Sequence, residues 1–291
     1  MKELIFKNEH DEPVNLEHFL HRENNVSKKL ITRLKRQNMG ITCDGKLIRT
    51  IDEVPPGKTV VLHIESENSL EPNSELFVKR VFENESFVVF DKPQQMPVHP
   101  SINHYYDTLG NYFAYLYPDT AFRPVNRLDR NTSGLCVVAK NQHEAYRLQS
   151  SITKTYYAII CGKPENLCGK IDLPIARETE SMIKRCVSES GQKSVTNYEV
   201  ISSCEKYSYV KIQLETGRTH QIRVHFSHIG YPLAGDDLYG GNCEDIQCQA
   251  LHCGELYIAD KSGERLHLCA KPNENMKYIL EKYKMSDCNL L

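Results

Sequence analysis

The segment Pro124–Ala139 sets the strongest limit on how this chain can fold. Asn126-Arg127-Leu128-Asp129-Arg130-Asn131-Thr132-Ser133 packs polar side chains together, and Gly134 then opens into the apolar, β-branched run Leu135-Cys136-Val137-Val138-Ala139. The second half reads as a strand, and the first as a loop held rigid by it. Two arginines flank one carboxylate, Asp129, in that loop. Polar loops braced by a scaffold are where chemistry usually sits, so the rest of the chain is read for what charges, covers and approaches Asp129.

The chain has 291 residues, enough for one large domain and a small one. A net charge of −2 gives no overall sign of a polyanion partner, so a nucleic-acid role has to rest on local basic patches. The start, Met1–Glu9, has no apolar core of a secretory signal, and no run approaches the ~18 apolar residues of a membrane span. Eleven cysteines without a C-x-x-C pair point to free thiols in a reducing cytosol, and the expected location is cytoplasmic.

A local basic patch is present near the start. Leu16, Phe19 and Leu20 have the spacing of a short amphipathic helix, and Ser27 is a good N-cap for a second helix running towards Gly40, a good C′ residue. On a wheel of about 100° per residue, Lys28, Lys29, Arg33, Lys35 and Arg36 fall within about 160°, with Leu30, Ile31 and Leu34 opposite. From Lys28 to Arg49 seven cations face one acid, Asp44, a local charge of 7 − 1 = +6. Ile41–Leu47 reads as a hairpin turning on Asp44-Gly45, and Thr59–Ile64 as a closing strand. A lone basic helix face is more often solvated surface than a binding site. Here the order of helix, basic helix, glycine, hairpin and strand resembles the alpha-L RNA-binding module of ribosomal protein S-four. That resemblance implies RNA contacts from Lys28, Lys29, Arg33 and Arg36.

Polar, acidic Glu65–Ser74 has the look of a linker, dividing residues 1–70 from 71–291. Beyond it, strands are expected at Phe77–Phe82, Phe87–Phe90, Lys154–Cys161, Ser194–Ile201, Tyr207–Leu214 and Glu255–Ile258. Helices are expected at Thr108–Tyr117, His143–Ile152, Thr219–Ile229 and Asn275–Tyr283. Strands mixed with helices in no regular βαβ order indicate an α+β domain.

Four motifs stand out in this part: Asp91-Lys92-Pro93 with its proline-rich loop, Asn126–Leu135, Lys154–Gly162, and Thr216-Gly217-Arg218-Thr219-His220-Gln221-Ile222-Arg223 followed by Gly235-Asp236-Asp237-Leu238-Tyr239-Gly240. Together they resemble the RluA-type family of RNA pseudouridine synthases, whose pattern runs (H/N)-R-L-D-x-x-T-S-G-L, K-x-Y-x-A-x-(V/I)-x-G and T-G-R-x-H-Q-I-R with a later G-D-x-x-Y-G. The match spans roughly residues 77–271. It implies a mixed, mainly antiparallel sheet flanked by helices around a central cleft. It also implies isomerisation of uridine to its C5-glycoside within RNA, without cofactor or metal, by a monomer.

That reaction calls for an ionised carboxylate, a fixed cation beside it, an aromatic face for the detached base and a filler for the gap left in the RNA. The resemblance gives these roles to Asp129, Arg223, Tyr156 and Arg127. Taken alone, Asp129 would be a turn-capping carboxylate, Arg223 a surface charge and Tyr156 sheet core. Strand alternation sends Tyr157 to the face opposite Tyr156. Arg218 suits a pocket wall, while Leu214 and Leu251 fit pocket lining and core about equally well. Asn126 stands where many members have His, Gln95 where Gly is common, and Cys253 where Ala is common. The cluster Cys243, Cys248, His252 and Cys253 lacks the tight spacing of a zinc knuckle.

Kept catalytic residues weigh against a silent RNA-binding assembly factor on the same scaffold. A glycosidase would want a second acid, which the motifs do not supply. Among RNA targets, the N-terminal module favours large-subunit ribosomal RNA over transfer RNA.

Overall fold

The computed structural model describes residues 2–64, 70–178, 183–259 and 265–285. Its first part is a four-stranded antiparallel sheet of Lys2–Lys7 (β1), Ile41–Cys43 (β2), Lys46–Leu47 (β3) and Thr59–Ile64 (β4), in the order β1-β4-β2-β3. Val60, Leu62 and Ile64 of β4 are buried and the residues between them only partly so, as in a strand covered on one face. Covering it are Leu16, Phe19 and Leu20, in a short helix that passes into a π-helical turn, and Leu30, Ile31 and Leu34 of helix Lys28–Leu34 (α1).

Ser27 caps α1, its hydroxyl accepting from the Leu30 N–H, and Lys28, Lys29, Arg33, Lys35 and Arg36 are exposed. The helix stops at Leu34, well short of Gly40. Gly40 is not a left-handed cap, because Met39 takes the positive φ of 56°. It is needed for room, since a Cβ there would lie 2.2 Å from the Leu34 carbonyl oxygen. The hairpin turns on Asp44 and Gly45, with φ of 45° and 79°, as its sequence requires.

The second part is a ten-stranded sheet. Its strands are Lys79–Glu83 (β5), Phe87–Lys92 (β6), Ser133–Ala139 (β7), Ile152–Cys161 (β8), Cys168–Asp172 (β9), Val195–Ser203 (β10), Tyr207–Leu214 (β11), Leu251–Ala259 (β12) and Arg265–Cys269 (β13), with the short Arg123–Pro124. The main path runs β9-β10-β11-β8-β12-β7-β6-β5, with β13 on β12 and Arg123–Pro124 on β7. Helices Leu109–Leu116 (α2), Gln142–Ser151 (α3), Gln221–His228 (α4) and Glu274–Lys282 (α5) accompany it, so the expected elements are present with ends shifted by a few residues. The fold is α+β, and every pairing in this sheet is antiparallel except one. β7 and β12 run parallel over Ser133↔His252 and Gly134↔Cys253.

That parallel junction stands directly behind the Asp129 loop. Gly134 has φ of 106°, and a Cβ on it would fall 2.3 Å from the Cys253 carbonyl oxygen, so no other residue fits. Of the stretch expected to be a linker, Glu65–Ser69 lie outside the described residues. Its later part is docked rather than free. Asn111 on α2 donates to the Glu71 carbonyl, and Asn73 N–H donates to the Asn111 carbonyl. Among the described residues, no helix is long and apolar enough to cross a membrane.

Candidate active site

The loop before β7 is held from several sides. The buried Asn126 amide accepts from Val137 N–H (2.8 Å) and donates to the Leu135 carbonyl (3.0 Å), tying the loop to its own strand. Thr132 N–H bonds to the Asp129 carbonyl and closes the turn. Beneath it, Lys92 Nζ donates to the carbonyls of Pro93 (2.7 Å), Met96 (2.8 Å) and Arg130 (3.1 Å). The proline-rich loop and the Asp129 loop are thereby pinned to one buried side chain. Burial brings the Lys92 ammonium down to about 8.

Behind the loop, Asn273 donates to Ser133 Oγ (2.6 Å), which leaves the Ser133 hydroxyl to donate to His252 Nδ1 (2.9 Å). His252 then carries its proton on Nε2 and gives it to the Ala270 carbonyl. Burial pushes this imidazole down to about 4, so it is neutral. His252 is therefore occupied in bracing, and Cys253 is fully buried in the sheet. Among the described residues no three His, Cys, Asp or Glu side chains are grouped to hold a metal.

Asp129 is reached from α4. Arg223 donates from Nη1 to Asp129 Oδ2 at 3.3 Å. Its shorter bonds go elsewhere: Nε to Asp236 Oδ2 at 2.6 Å and Nη2 to Asp236 Oδ1 at 2.8 Å. Asp236 is wholly buried, whereas the Asp129 side chain is 28% exposed. The two-pronged bond to Asp236 fixes the guanidinium plane, and the remaining N–H is aimed at Asp129. One cation thus serves two carboxylates, with the catalytic candidate as the looser partner.

Asp236 owes its position to Gly235, where φ is 74° and a Cβ would meet the Cys248 carbonyl oxygen at 2.3 Å. Tyr239 follows in the same motif, and Arg223 lies 4.9 Å over its ring. The Tyr239 hydroxyl accepts from Arg185 N–H (2.9 Å) and is hydrogen-bonded to His220 Nδ1 (2.9 Å), with His220 Nε2 turned towards Asp129 Oδ2 at 3.8 Å. Burial pulls the His220 imidazole down; the charge of Asp129 opposes this and that of Arg223 adds to it.

Gln221, buried at the start of α4, uses its whole amide. Its oxygen accepts from Thr216 Oγ1 and Arg218 N–H, and its nitrogen donates to Val195 O and Thr196 Oγ1. It fixes the turn that carries Arg218.

Tyr156 lies on β8 at a bulge against β12. Burial above all, with Cys253 and Asp129 nearby, drives its phenol well above the ordinary value, so it stays protonated. Tyr157 faces away as expected, in a separate core with Tyr207 and Tyr209, its hydroxyl bonded to Glu255.

One cleft of about 60 Å³ brings together Asp129, Tyr156, Arg223, Arg127, Arg218, Leu214 and Leu251, all seven large-domain candidates from the sequence. Leu214 and Leu251 also pack with the main core, so their two readings coincide. Lys28, Lys29, Arg33 and Arg36 are not part of this cleft. Sequence reasoning gave no role to Asp236, His220, Gln221 or Tyr239. The available signal was their presence inside motifs whose other members already had functions.

A family profile described as RNA pseudouridylate synthase matches residues 86–228. The ribosomal large subunit pseudouridine synthase D of Pseudomonas aeruginosa is 40% identical over 211 residues, covering 69% of this chain and 66% of that protein. YjbO of Bacillus subtilis, an uncharacterized RNA pseudouridine synthase, is 32% identical over 268 residues, covering 88% of this chain and 95% of the relative. Among solved structures, human RNA pseudouridylate synthase domain containing 1 aligns with a TM-score of 0.57 at 25% identity, over 75% of this chain and 98% of its own.

Proposed function

The chain belongs to the RNA pseudouridine synthases, and we propose that it acts on uridines of large-subunit ribosomal RNA with Asp129 as its essential carboxylate. The observation that carries the assignment is the Asp129–Arg223–Asp236 array. It supplies a partly accessible carboxylate beside a cation that cannot swing away.

In the reaction the bond from C1′ to N1 breaks and a bond from C1′ to C5 forms. N1 ends protonated and the C5 proton departs, so the product is an isomer. Asp129 meets the sugar or base as nucleophile or as counter-charge to the developing cation. Tyr156, a neutral phenol, offers a flat face to the turning base and a hydroxyl rather than a phenolate. Arg127, exposed at the cleft rim, fills the place vacated by the flipped nucleotide. Arg218 lines the entrance, while Leu214 and Leu251 cover the base.

We assign RNA delivery to residues 1–70, with Lys28, Lys29 and Arg33 exposed on α1 and Arg36 exposed just after it, and chemistry to residues 71–291, in a monomer working in the cytoplasm. The name of the Pseudomonas aeruginosa relative supports the ribosomal target.

RNA tritiated at uracil C5 tests the chemistry. The wild-type chain should release label to water, and Asp129→Ala should not; release at the wild-type rate by the variant would remove Asp129 from its role. Mapping pseudouridine in ribosomal and transfer RNA from a deletion strain tests the target, and intact ribosomal sites with missing transfer-RNA ones would reassign it.

A further inference from the structure

A second cavity, of about 360 Å³, lies beside the catalytic cleft and shares Arg127 and Arg218 with it. Arg177 and Arg185 line it as well, with Gln192, Thr219 and the chain around Gly191, and among the described residues no aspartate or glutamate does. Four cations without an acid among them mark a place for an anion.

Two further observations bear on that anion. Arg177 and Arg185 belong to a two-stranded antiparallel ribbon, Ile175–Arg177 with Arg185–Val187, in which they sit directly opposite one another. Like charges in opposed positions weaken a strand pair, a cost the ribbon carries while nothing negative lies between them. In addition, Arg185 Nη1 is buried without a hydrogen-bond partner among the described residues, the kind of group that calls for an explanation. An anion in the basin relieves both.

We propose that Arg177 and Arg185, with Arg218, hold a backbone phosphodiester of the RNA strand next to the flipped uridine, whose place Arg127 fills. This rests on the function proposed above. A tetrahedral phosphate offers its oxygens to guanidinium forks arriving from different sides, which a planar base edge does not. Because Arg127 and Arg218 line both cavities, a strand whose uridine enters the cleft has its neighbouring backbone at the basin. The ribbon is also joined to the catalytic centre, since Arg185 N–H fixes the Tyr239 hydroxyl that orients His220 towards Asp129. Arg177 and Arg185 are therefore substrate-positioning residues.

The test is binding of a short fluorescent oligouridylate to the full chain, followed by anisotropy between about 50 and 200 mM salt. Arg177 is exposed, so Arg177→Gln should fold normally. It should bind about tenfold more weakly, with the slope of log affinity against log salt lower by about 0.7. Arg185→Gln should behave likewise. Lys163→Gln, exposed and lining neither cavity, is the charge control. With methylphosphonate linkages replacing the charged ones, wild-type affinity should fall and Arg177→Gln should cost nothing more.

An Arg177→Gln variant matching Lys163→Gln in affinity and slope overturns the proposal, even if the wild type releases tritium normally. A lowered slope upholds the subsite, even if the wild type releases no tritium from any RNA and the catalytic reading fails.

Discussion

Replacing Arg223 with lysine keeps the charge and removes the geometry, so it isolates what the fork contributes. The guanidinium makes three contacts: two to buried Asp236 at 2.6 and 2.8 Å, and one to Asp129 at 3.3 Å. A lysine ammonium is a single point, and Asp236, with no exposed side-chain surface, takes it first. What Asp129 loses is one charge-assisted hydrogen bond, in general about 1.5–3 kcal/mol. The 3.3 Å contact lies at the weak end, so a drop of roughly 10- to 30-fold in the chemical step is expected.

Single-turnover tritium release at saturating enzyme reads that step directly, with thermal melting in parallel. Arg223→Met is the contrasting variant. It leaves Asp236 buried without a counter-charge, at a cost of about 3–5 kcal/mol, and should lower the melting temperature sharply. A lysine variant that turns over at the wild-type rate would refute the idea that the fork positions Asp129. One that melts like the methionine variant would show that the pair holds the fold and not the chemistry.

Lys92→Met should leave the buried Met96 carbonyl and the part-buried Pro93 and Arg130 carbonyls without their donor and destabilise the chain by about 2–4 kcal/mol, measured by urea unfolding at neutral pH. Lys92 titrates at about 8 in the folded chain against about 10.4 when unfolded. The folded state therefore binds fewer protons between those values, and the stability from Lys92 should rise with pH across that window; parallel wild-type and variant curves there would contradict it. Gly134→Ala combines a positive φ with contact against the Cys253 carbonyl and should cost at least about 3 kcal/mol, seen as loss of soluble protein or of melting temperature. Lys28, Lys29 and Arg36 changed together to glutamine should weaken binding of ribosomal RNA and lower its salt slope by about 2. An unchanged slope in filter binding would leave α1 as plain solvated surface.

How far the sequence could be read depended on the range of the interactions. Local chemistry was legible: the Asp44-Gly45 hairpin, the Ser27 cap, the basic face of α1 and the opposite facing of Tyr156 and Tyr157 follow from rules spanning a few residues. Gly40 misled because a glycine after a helix usually marks a left-handed cap, whereas here the chain returns against the Leu34 carbonyl and needs only space. The residues of the cleft were legible as motifs, but their division of labour was not. Arg223 and Asp129 are 94 positions apart, and Arg223 and Asp236 only 13, yet nothing in either spacing says that the nearer acid takes the fork and the farther one the remaining N–H. That division has a functional consequence. If Asp129 held the fork itself, its carboxylate would be enclosed by two strong bonds and less available to a ribose or uracil. By giving the fork to Asp236, the G-D-x-x-Y-G segment fixes the cation while leaving Asp129 partly open. Its tyrosine, between His220 and the Arg185 amide, carries the same arrangement out to the ribbon that borders the four-arginine basin.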